Sequence, residues 1–515
     1  MHKLLVLPAI VSLTAALAFA PAGSTALGSP NASSAGHIAV MQGTARVARV
    51  VNVATLPRAI HVGGPARVLP RLTPDGPAGV SSSGGSASSP SVRAPQTAPT
   101  VTAGTKLKPA LASSDNPFGL SPPDMGLAVG GGRVIQMVNV VGRIWNGTTA
   151  GTVFDLSDFF GTGGDFISDP WVQFDPASGR FYAGIFDVDL GGEAIAVSTS
   201  SNAAGTYVVY YVQYPAVANG GCPDQGKLGF DKDIVALGFN EFSTVGCSGG
   251  SYLGAGIEIF NKAELVAGGT VHFVYTNPLP AFFSMVPAET MTANVYEYFA
   301  SVDYGSGTKV HQITSTGVPH GGGSDVTLTQ LPDVTVPAYA NPPQAKQPGT
   351  STKVDSGDDR VQHVSRRGGN LALSLTDKCT PSGDTKNRAC ARIISINQVS
   401  NALTYSRDLS KRKHFYIYPA IGLNSLNQVI VGFGDTSGGT YPRLMASAAD
   451  LSGNFAAPLV LQSGSQPNTT QRYGDYFAVA IDPANPTNGW IAGEVGGPLT
   501  GSSAWNTAVR LLVVS

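Results

Sequence analysis

Charged residues and cysteines are both scarce in this sequence. Charged side chains make up 13 % of the 515 residues, and the formal net charge is −1. A nearly neutral chain gives no electrostatic basis for binding nucleic acid or acidic lipid, so neither partner is expected. The four cysteines contain no Cys-x-x-Cys spacing and have no adjacent histidine, which argues against a zinc site.

Several local signatures are also missing. The chain has no His-Glu-x-x-His, no glycine-rich phosphate loop followed by Lys-Ser/Thr and no dinucleotide fingerprint, which argues against the reactions that depend on those motifs. Helical periodicity is nearly absent, and only residues 261–267 predict a helical turn. Short apolar runs bounded by Gly, Asn, Asp and Pro indicate strands instead.

Long apolar runs are absent beyond the N-terminus. Residues 1–26 combine an early lysine, an apolar run from residue 4 to residue 20 and small residues after it, which is typical of a signal peptide. No later segment has about 18 uninterrupted apolar residues, so no membrane span is expected after signal removal. The sequence therefore predicts a secreted protein, extracellular or associated with the cell envelope.

The next segment is poor in large apolar side chains. Residues 27–114 are rich in Ser, Gly, Pro and Ala, and such a composition predicts a disordered linker or pro-region. One exception is a short apolar stretch at residues 37–53, which either pairs with the folded domain or has no structural role. The folded domain is assigned to residues 115–515.

The cysteines fall into two local couples. Cys222 and Cys247 bracket one predicted hairpin loop, and Cys379 and Cys390 bracket another. In an exported chain, this arrangement favours two disulfides, Cys222–Cys247 and Cys379–Cys390.

One pattern recurs five times: an Asp or Tyr, often beside Pro or Gly, opens a short apolar strand. The openings are separated by 45 residues from 124 to 169, 64 from 169 to 233 and 57 from 418 to 475. Recurrence on this scale is typical of small β units arranged as propeller blades. The stretches are Pro-Pro-Asp124-Met-Gly-Leu-Ala-Val, Ser-Asp169-Pro-Trp-Val-Gln-Phe-Asp, Phe-Asp231-Lys-Asp233-Ile-Val-Ala-Leu, Tyr418-Pro-Ala-Ile-Gly-Leu and Gly-Asp475-Tyr-Phe-Ala-Val-Ala-Ile-Asp.

We therefore predict an all-β fold, a β-propeller of about seven four-stranded blades preceded by a disordered arm. Six or eight blades also fit the spacing, and a set of β-sandwich domains is the alternative fold. In a propeller the first strand of each blade lines the central channel. The residues that open those strands should then gather around one mouth of the channel.

The opening carboxylates are the first candidate site. Asp124, Asp169, Asp233 and Asp475 would form part of an acidic ring, in which converging charges raise pKa values or recruit a cation. Ca²⁺ would suit oxygen ligands from Asp169, Asp233 and Asp475, although no cofactor is required. The alternative is that each carboxylate caps its own turn. Weaker candidates for the ring are Asp231, Asp359 and Glu289.

A polar and aromatic cluster at residues 472–476 extends this candidate site, together with Tyr418. Arg472 could bind a carboxylate through two hydrogen bonds, and Tyr473 could stack on a sugar ring. The alternative is an Arg–Asp pair that only joins two neighbouring blades.

The same stretches resemble secreted bacterial β-propeller proteins of the sialidase-like superfamily, most of which have no assigned function. Residues 194–207 and 447–455 resemble degenerate copies of the Asp-box, the hairpin motif of that superfamily. The first copy carries Asn202 and an extra residue before its glycine, and the second lacks the aromatic at the usual distance. The resemblance implies a propeller fold and a structural role for both copies.

Three functions remain open at this point. The first is an extracellular binding module for a glycan or a protein surface at one face of the propeller. The second is a glycoside hydrolase, sialidase-like or other, or a lyase that uses the channel-mouth carboxylates. The third is a structural protein of the cell envelope. The sequence alone leaves open whether the chain is an enzyme.

Overall fold

Strands provide nearly all of the regular structure in the computed structural model, which describes residues 37–60, 68–69, 71–74, 97–213, 221–243, 250–497 and 505–515. The predicted signal peptide and Cys247 lie outside these residues, so the pairing Cys222–Cys247 stays a prediction. The pairing Cys379–Cys390 is confirmed. Within the described residues, no helix has the length and apolar character needed to cross a membrane.

The first half of the chain forms the following elements. An N-terminal arm contributes β1 (His37–Ile38), β2 (Met41–Ala45) and β3 (Val47–Asn52), and β4 (Val101–Leu107) follows. The next strands are β5 (Gly126–Gly130), β6 (Arg133–Val138), β7 (Val141–Asn146), β8 (Thr149–Ala150) and β9 (Phe154–Asp155), followed by helix α1 (Leu156–Phe160). Then come β10 (Ile167–Asp175), β11 (Arg180–Asp187), β12 (Gly192–Ser198) and β13 (Thr206–Gln213).

The central part continues in the same way. It contains β14 (Cys222–Phe230), β15 (Ile234–Phe242), β16 (Tyr252–Asn261), helix α2 (Lys262–Ala267) and β17 (Val271–Tyr275). Helix α2 confirms the predicted helical turn. The shorter strands that follow are β18 (Val286–Pro287), β19 (Glu289–Thr290), β20 (Glu297–Val302), β21 (Ser306–Thr316), β22 (Pro319–His320), β23 (Gly323–Ser324), β24 (Thr327–Gln330) and β25 (Val334–Ala340).

The last part consists of long strands. They are β26 (Val361–Arg367), β27 (Asn370–Cys379), β28 (Arg388–Asn397), β29 (Ala402–Leu409), β30 (His414–Leu423), β31 (Val429–Ser437), β32 (Thr440–Ala449) and β33 (Leu459–Gln462). The chain finishes with β34 (Ala478–Ile481), β35 (Gly489–Val495) and β36 (Asn506–Val514).

The strands form a β-propeller, as predicted. Successive strands pair antiparallel within each group, and the first strand of one group contacts the first strand of the next around a closed circuit. This circuit runs through β5, β10, β14, β18, β26, β30 and β34 and returns to β5. These innermost strands surround the central channel.

The number of separate sheets is lower than the predicted seven blades. Within the described residues, six sheets have four or more strands. The physical reason is β19, which pairs in parallel with both β14 and β26 and so joins two antiparallel groups into one ten-stranded sheet.

The core lies between the sheets. Strands such as β15 and β31 are buried along their whole length, because sheets pack on both of their faces. One cluster places Trp171 and Tyr182 of β10 and β11 against Leu237 and Phe260 of β15 and β16. Other clusters fill the remaining spaces between neighbouring sheets in the same way.

Part of the segment predicted as a disordered linker is strand. The stretch at residues 37–53 pairs with the domain, which was one of the two alternatives, and β4 also lies in the predicted linker. Each arm strand completes the outer edge of a different sheet: β1 pairs with β24, β2 with β17 and β3 with β13. In the same way, β4 pairs with β36. Composition hides these strands because they add only one edge and bury little apolar surface.

Candidate functional site

Bulges in the innermost strands position two of the predicted site residues. Asp169 and Tyr418 lie where the pairing to the next strand shifts register, and their φ angles are 57° and 52°. Asp124, with φ 41°, lies two residues before the start of β5. Left-handed backbone is uncommon for residues other than glycine, and a bulge re-aims the side chain it carries. Gln225 and Ser284 adopt the same conformation at the corresponding places, φ 56° and 52°.

The start of each of these strands lies at one end of the channel, which we call the mouth. Backbone N–H groups at the mouth donate hydrogen bonds to side chains of a neighbouring sheet. The pairs are Asp169 N with Asn139 Oδ1 (3.0 Å), Gln225 N with Asp169 Oδ2 (2.7 Å), Ser284 N with Asn240 Oδ1 (2.8 Å), Asp359 N with Asn341 Oδ1 (3.0 Å), Tyr418 N with Thr376 Oγ1 (3.0 Å) and Asp475 N with Asp124 Oδ1 (2.8 Å).

Asp124 and Asp169 therefore join sheets. Asp124 also accepts a hydrogen bond from Asn139 Nδ2 at 2.8 Å, and the two aspartates are only 2 % and 6 % exposed. Buried carboxylates that accept backbone N–H groups fix the relative position of two elements. The simpler alternative, in which an Asp caps its own turn, applies to Asp231, which accepts from the N–H groups of Asp233 and Ile234.

Asp233 is not brought to the mouth. It lies in the turn between β14 and β15, at the opposite end of the channel from Gln225, and its side chain is 40 % exposed. The sequence pattern selected the start of β15, which is the second strand of its group. The innermost strand is β14, and it brings Asp224 and Gln225 to the mouth instead.

Four charged side chains form a closed ring of ion pairs at the mouth, which we call the ion-pair quartet: Arg71, Asp355, Arg472 and Asp475. Arg71 Nη1 lies 2.8 Å from Asp355 Oδ1, and Arg71 Nη2 lies 3.1 Å from Asp475 Oδ1. Arg472 contacts the other oxygen of each carboxylate. Tyr418 adds its hydroxyl, which is bonded to Arg71. Arg472 and Asp475 were predicted from sequence, whereas Arg71 and Asp355 were not.

The pKa values of the carboxyl groups at the mouth are shifted in opposite directions. Although burial opposes ionisation, the charges of Arg472 and Arg71 hold the pKa of Asp475 below its usual value. Burial, with the nearby charges of Asp475 and Asp169, raises the pKa of Asp124 well above its usual value. Burial and the charge of Asp169 do the same to Asp224. The mouth thus combines one strongly acidic carboxyl group with several that favour the protonated form.

Tyr473 is part of the core and cannot stack on a ligand. Its side chain is fully buried, and its hydroxyl donates to the Glu494 carbonyl at 2.6 Å. Its ring lies near those of Tyr418 and Phe477. The sequence identified a tyrosine beside the quartet, but this side chain packs into the core.

The channel behind the mouth is narrow. Its cavity measures about 50 Å³ and is lined by Lys227, Trp171, Glu289 and Tyr476, among others. Lys227 Nζ lies 3.0 Å from the centre of the Tyr476 ring, and burial lowers the pKa of Lys227 to about 7. A space of this size holds a few water molecules at most.

Calcium binding at the mouth is poorly matched by the side chains. Within the described ranges, no group of three or more His, Cys, Asp or Glu side chains is arranged to hold a metal. Arginines already contact both oxygens of Asp475, and a backbone N–H holds Asp169. Asp233, the third predicted ligand, is at the other end of the channel. Calcium binding remains an untested prediction.

A second feature lies on the same face, in the loops that precede β26 and β30 and connect β27 to β28 and β31 to β32. These loops line a cleft of about 840 Å³, which we call the basic cleft. Five exposed cations line it: Lys346, Lys353, Lys386, Arg412 and Lys413. Among the described residues, no carboxylate lies within ion-pair distance of any of the five.

The walls of the basic cleft are fixed in place. The disulfide Cys379–Cys390 closes the loop between β27 and β28. Within that loop, Asp384 pairs with Arg388 at 2.8 Å and accepts the backbone N–H of Lys413 at 2.7 Å. One buried carboxylate thereby ties two walls of the cleft together. The cleft is therefore preorganised rather than assembled by flexible side chains alone.

The Asp-box-like stretches are hairpin turns away from both features. Asn202 Oδ1 accepts the Ala204 N–H at 3.0 Å between β12 and β13. Asp450 accepts the N–H groups of Ser452 and Asn454 after β32. Both side chains hold their own turns.

Comparison with known proteins gives no family assignment, since no family model and no curated protein matches the sequence. Solved structures do match. A protein of unknown function from Dyadobacter fermentans is 11 % identical, with a TM-score of 0.33, over 76 % of this chain and 94 % of that one. An α-L-arabinanase from Penicillium chrysogenum is 12 % identical, with a TM-score of 0.35, over 66 % and 92 %. The Trypanosoma rangeli sialidase is 9 % identical, with a TM-score of 0.32, over 66 % and 54 %. At these levels the matches carry no information about the site.

Proposed function

We propose that this protein is an extracellular binding module that holds an anionic glycan on the mouth face of the propeller. The observation that carries the proposal is the basic cleft. Extracellular placement rests on the predicted signal peptide and is supported by the disulfide Cys379–Cys390, because disulfides persist in oxidising compartments.

Charge argues for an anionic ligand. The whole chain has a net charge of −1, yet five exposed cations gather in one cleft without carboxylate partners among the described residues. Such a local excess creates a positive potential in the cleft and attracts anions over distances near the Debye length. Lysine and arginine both bind carboxylate and sulfate groups through charge-assisted hydrogen bonds.

The carboxyl groups at the mouth do not meet the requirements of a glycoside hydrolase, which favours binding over hydrolysis. A glycoside hydrolase needs two carboxyl groups separated by about 5–10 Å and open to the substrate. Asp124 and Asp169 are buried and hold backbone N–H groups, and Asp475 is held by two arginines. Arg71 also covers the mouth. These contacts leave no open pair among the predicted carboxylates.

Glycoside hydrolysis remains the second candidate because the pKa values of two carboxyl groups at the mouth are shifted in opposite directions. A carboxyl group with a raised pKa beside one with a lowered pKa is the arrangement that separates a general acid from a nucleophile. Asp124 and Asp475 have this relation. The test is turnover of a panel of p-nitrophenyl glycosides by the wild type and by Asp124→Asn. Turnover that is lost in the variant would replace the binding proposal.

The experiment for the binding proposal compares two triple variants of the full chain. The first removes three cations of the cleft, Lys353→Ala, Arg412→Ala and Lys413→Ala. The control removes three exposed cations elsewhere, Arg46→Ala, Arg58→Ala and Lys232→Ala, and so has the same net charge. Binding is measured by calorimetry with polygalacturonate, chondroitin sulfate, neutral dextran and a single-stranded oligonucleotide.

We expect binding of at least one anionic polysaccharide, weakened about tenfold or more in the first variant and unchanged in the control. Dextran should not bind. Equal weakening in both variants would show a diffuse charge effect and overturn the proposal. Preference for the oligonucleotide would reassign the cleft to nucleic acid. Binding of none of the probes would favour the structural alternative.

A further inference from the structure

The mouth holds a guanidinium group supplied by the chain itself. Arg71 belongs to a stretch outside every sheet, and it is separated from Asp355 and Asp475 by 284 and 404 positions. By contrast, Arg472 and Asp475 belong to one loop. Arg71 therefore meets its partners as a separate ligand would.

Several side chains form the binding site of Arg71. Asp355 and Asp475 each contribute one oxygen, and Tyr418 contributes its hydroxyl and its ring, whose centre lies 5.8 Å from the guanidinium carbon. The Arg71 side chain is 14 % exposed. Carboxylates paired with a planar guanidinium give both charge and directional recognition.

Two further arginines hold the backbone around Arg71. Arg472 Nε donates to the Leu69 carbonyl at 2.8 Å, and Arg360 Nη2 donates to the Leu72 carbonyl at 3.0 Å. The N–H of Leu69 donates to the Ser121 carbonyl at 2.8 Å. The mouth thus holds the segment around Arg71 by its main chain as well as by its side chain.

The charges around Arg71 indicate which ligand its binding site would accept if Arg71 were removed. With Arg71 in place, the two carboxylates of the quartet are balanced by two guanidinium groups. Without Arg71, Asp355 and Asp475 would form ion pairs only with Arg472. The binding site would then have an excess of one negative charge. A buried uncompensated charge has a high free-energy cost. The binding site without Arg71 would therefore favour a cation of matching shape.

We infer that the channel mouth has a guanidinium-binding site, which is formed by Asp355, Asp475 and Tyr418 beside Arg472. Arg71 occupies this site in the structure, and the site can accept an arginine side chain from another molecule when Arg71 is absent. Arg71 acts as an intramolecular ligand. This inference is independent of the basic cleft, since it uses a different set of side chains.

The experiment uses the full chain with Arg71→Ala, and Arg46→Ala as the matched control, because Arg46 is an exposed arginine between β2 and β3. The probe is methylguanidinium chloride at millimolar concentration, with methylammonium chloride at equal ionic strength for comparison. Thermal unfolding and calorimetry are both recorded. The double variant Arg71→Ala with Asp355→Asn tests whether the probe binds in the site that Arg71 occupies.

We expect Arg71→Ala to melt at a lower temperature than the wild type and to regain stability with a saturable dependence on methylguanidinium. The wild type and Arg46→Ala should not respond, and the double variant should bind the probe roughly tenfold more weakly. A folded Arg71→Ala that binds no methylguanidinium overturns the inference, as does an equal response in Arg46→Ala. If Arg71→Ala does not fold alone, refolding yield with and without the probe gives the same contrast.

Discussion

At the scale of single residues, the mouth is an electrostatic balance in which each charged group depends on its neighbours. Arg71 and Arg472 stabilise the ionised form of Asp475, and the charge of Asp475 in turn raises the pKa of Asp124. Removing one member therefore changes the protonation of another, so effects of mutations at the mouth should not be additive.

Asp475→Asn tests this balance through the pH dependence of stability. The folded-state pKa of Asp475 lies below its ordinary value of 3.8. Its stabilising effect is therefore complete above about pH 5 and is lost as the pH falls below about 4. The variant should be less stable at pH 7 by about 3–5 kcal/mol, since two buried arginines lose a charge partner. Its stability should also decline less between pH 5 and pH 2. Urea unfolding at each pH measures both effects, and an unchanged decline would contradict the assignment.

Lys227 gives the opposite test on the alkaline side. Burial lowers its pKa from 10.5 to about 7, so the folded state binds fewer protons than the unfolded state between these values. Stability should then increase as the pH rises from 7 to about 10, and Lys227 should contribute no further pH dependence below about pH 7. Lys227→Met should remove that increase, whereas Lys232→Met, at an exposed lysine, should keep it. Denaturant unfolding from pH 7 to pH 10 compares them.

At the scale of elements, the N-terminal arm protects sheet edges. Strands β1, β2 and β3 each pair with only one partner strand, and each covers the outer edge of a different sheet. An uncovered edge presents unpaired N–H and C=O groups, which promote association with other chains. We therefore expect the arm to contribute to solubility as well as to stability.

Truncation tests the role of the arm. A chain starting at residue 54 should melt at a lower temperature and aggregate on heating, because three edges are exposed. A chain starting at residue 37 keeps all three strands and should behave as the full chain does. Thermal unfolding with light scattering distinguishes the two. Equal melting and scattering would show that the arm strands add nothing to the edges.

The sequence predicted elements better than it predicted their partners. Strand starts at Asp124, Asp169, Tyr418 and Asp475 were found from local patterns, because turn chemistry and apolar alternation are encoded within a few residues. Asp233 was misplaced because the same pattern opens inner and second strands alike. Arg71 could not have been found, since its role depends on partners hundreds of residues away and its own surroundings carry no periodic pattern.

At the scale of the whole molecule, the distribution of charge matters more than its sum. The net charge of −1 is the basis for expecting no overall attraction between the chain and polyanions. It conceals the basic cleft, whose five cations come from three separate stretches of sequence. Only the packing of neighbouring loops on the mouth face brings them together, and composition cannot show this.

Salt dependence tests this description. If polygalacturonate binds in the basic cleft, its affinity should fall as salt rises from 50 mM to 200 mM, because exposed charges are screened over about 10 Å at 0.1 M salt. The triple cleft variant should show a shallower dependence of log Kd on log salt concentration than the charge-matched control. Titrations at several salt concentrations measure the slopes. Identical slopes would place the bound polysaccharide elsewhere.

The edge-only pairing of the arm has a mechanical consequence. Because β1, β2 and β3 are each bonded on one side, a pulling force applied at the N-terminal end would detach them one at a time, beginning with β1. No innermost strand would need to break, so the circuit of strands around the channel would stay closed. If the chain is anchored through its N-terminus, the arm would lengthen under load in three steps while the mouth face remained intact.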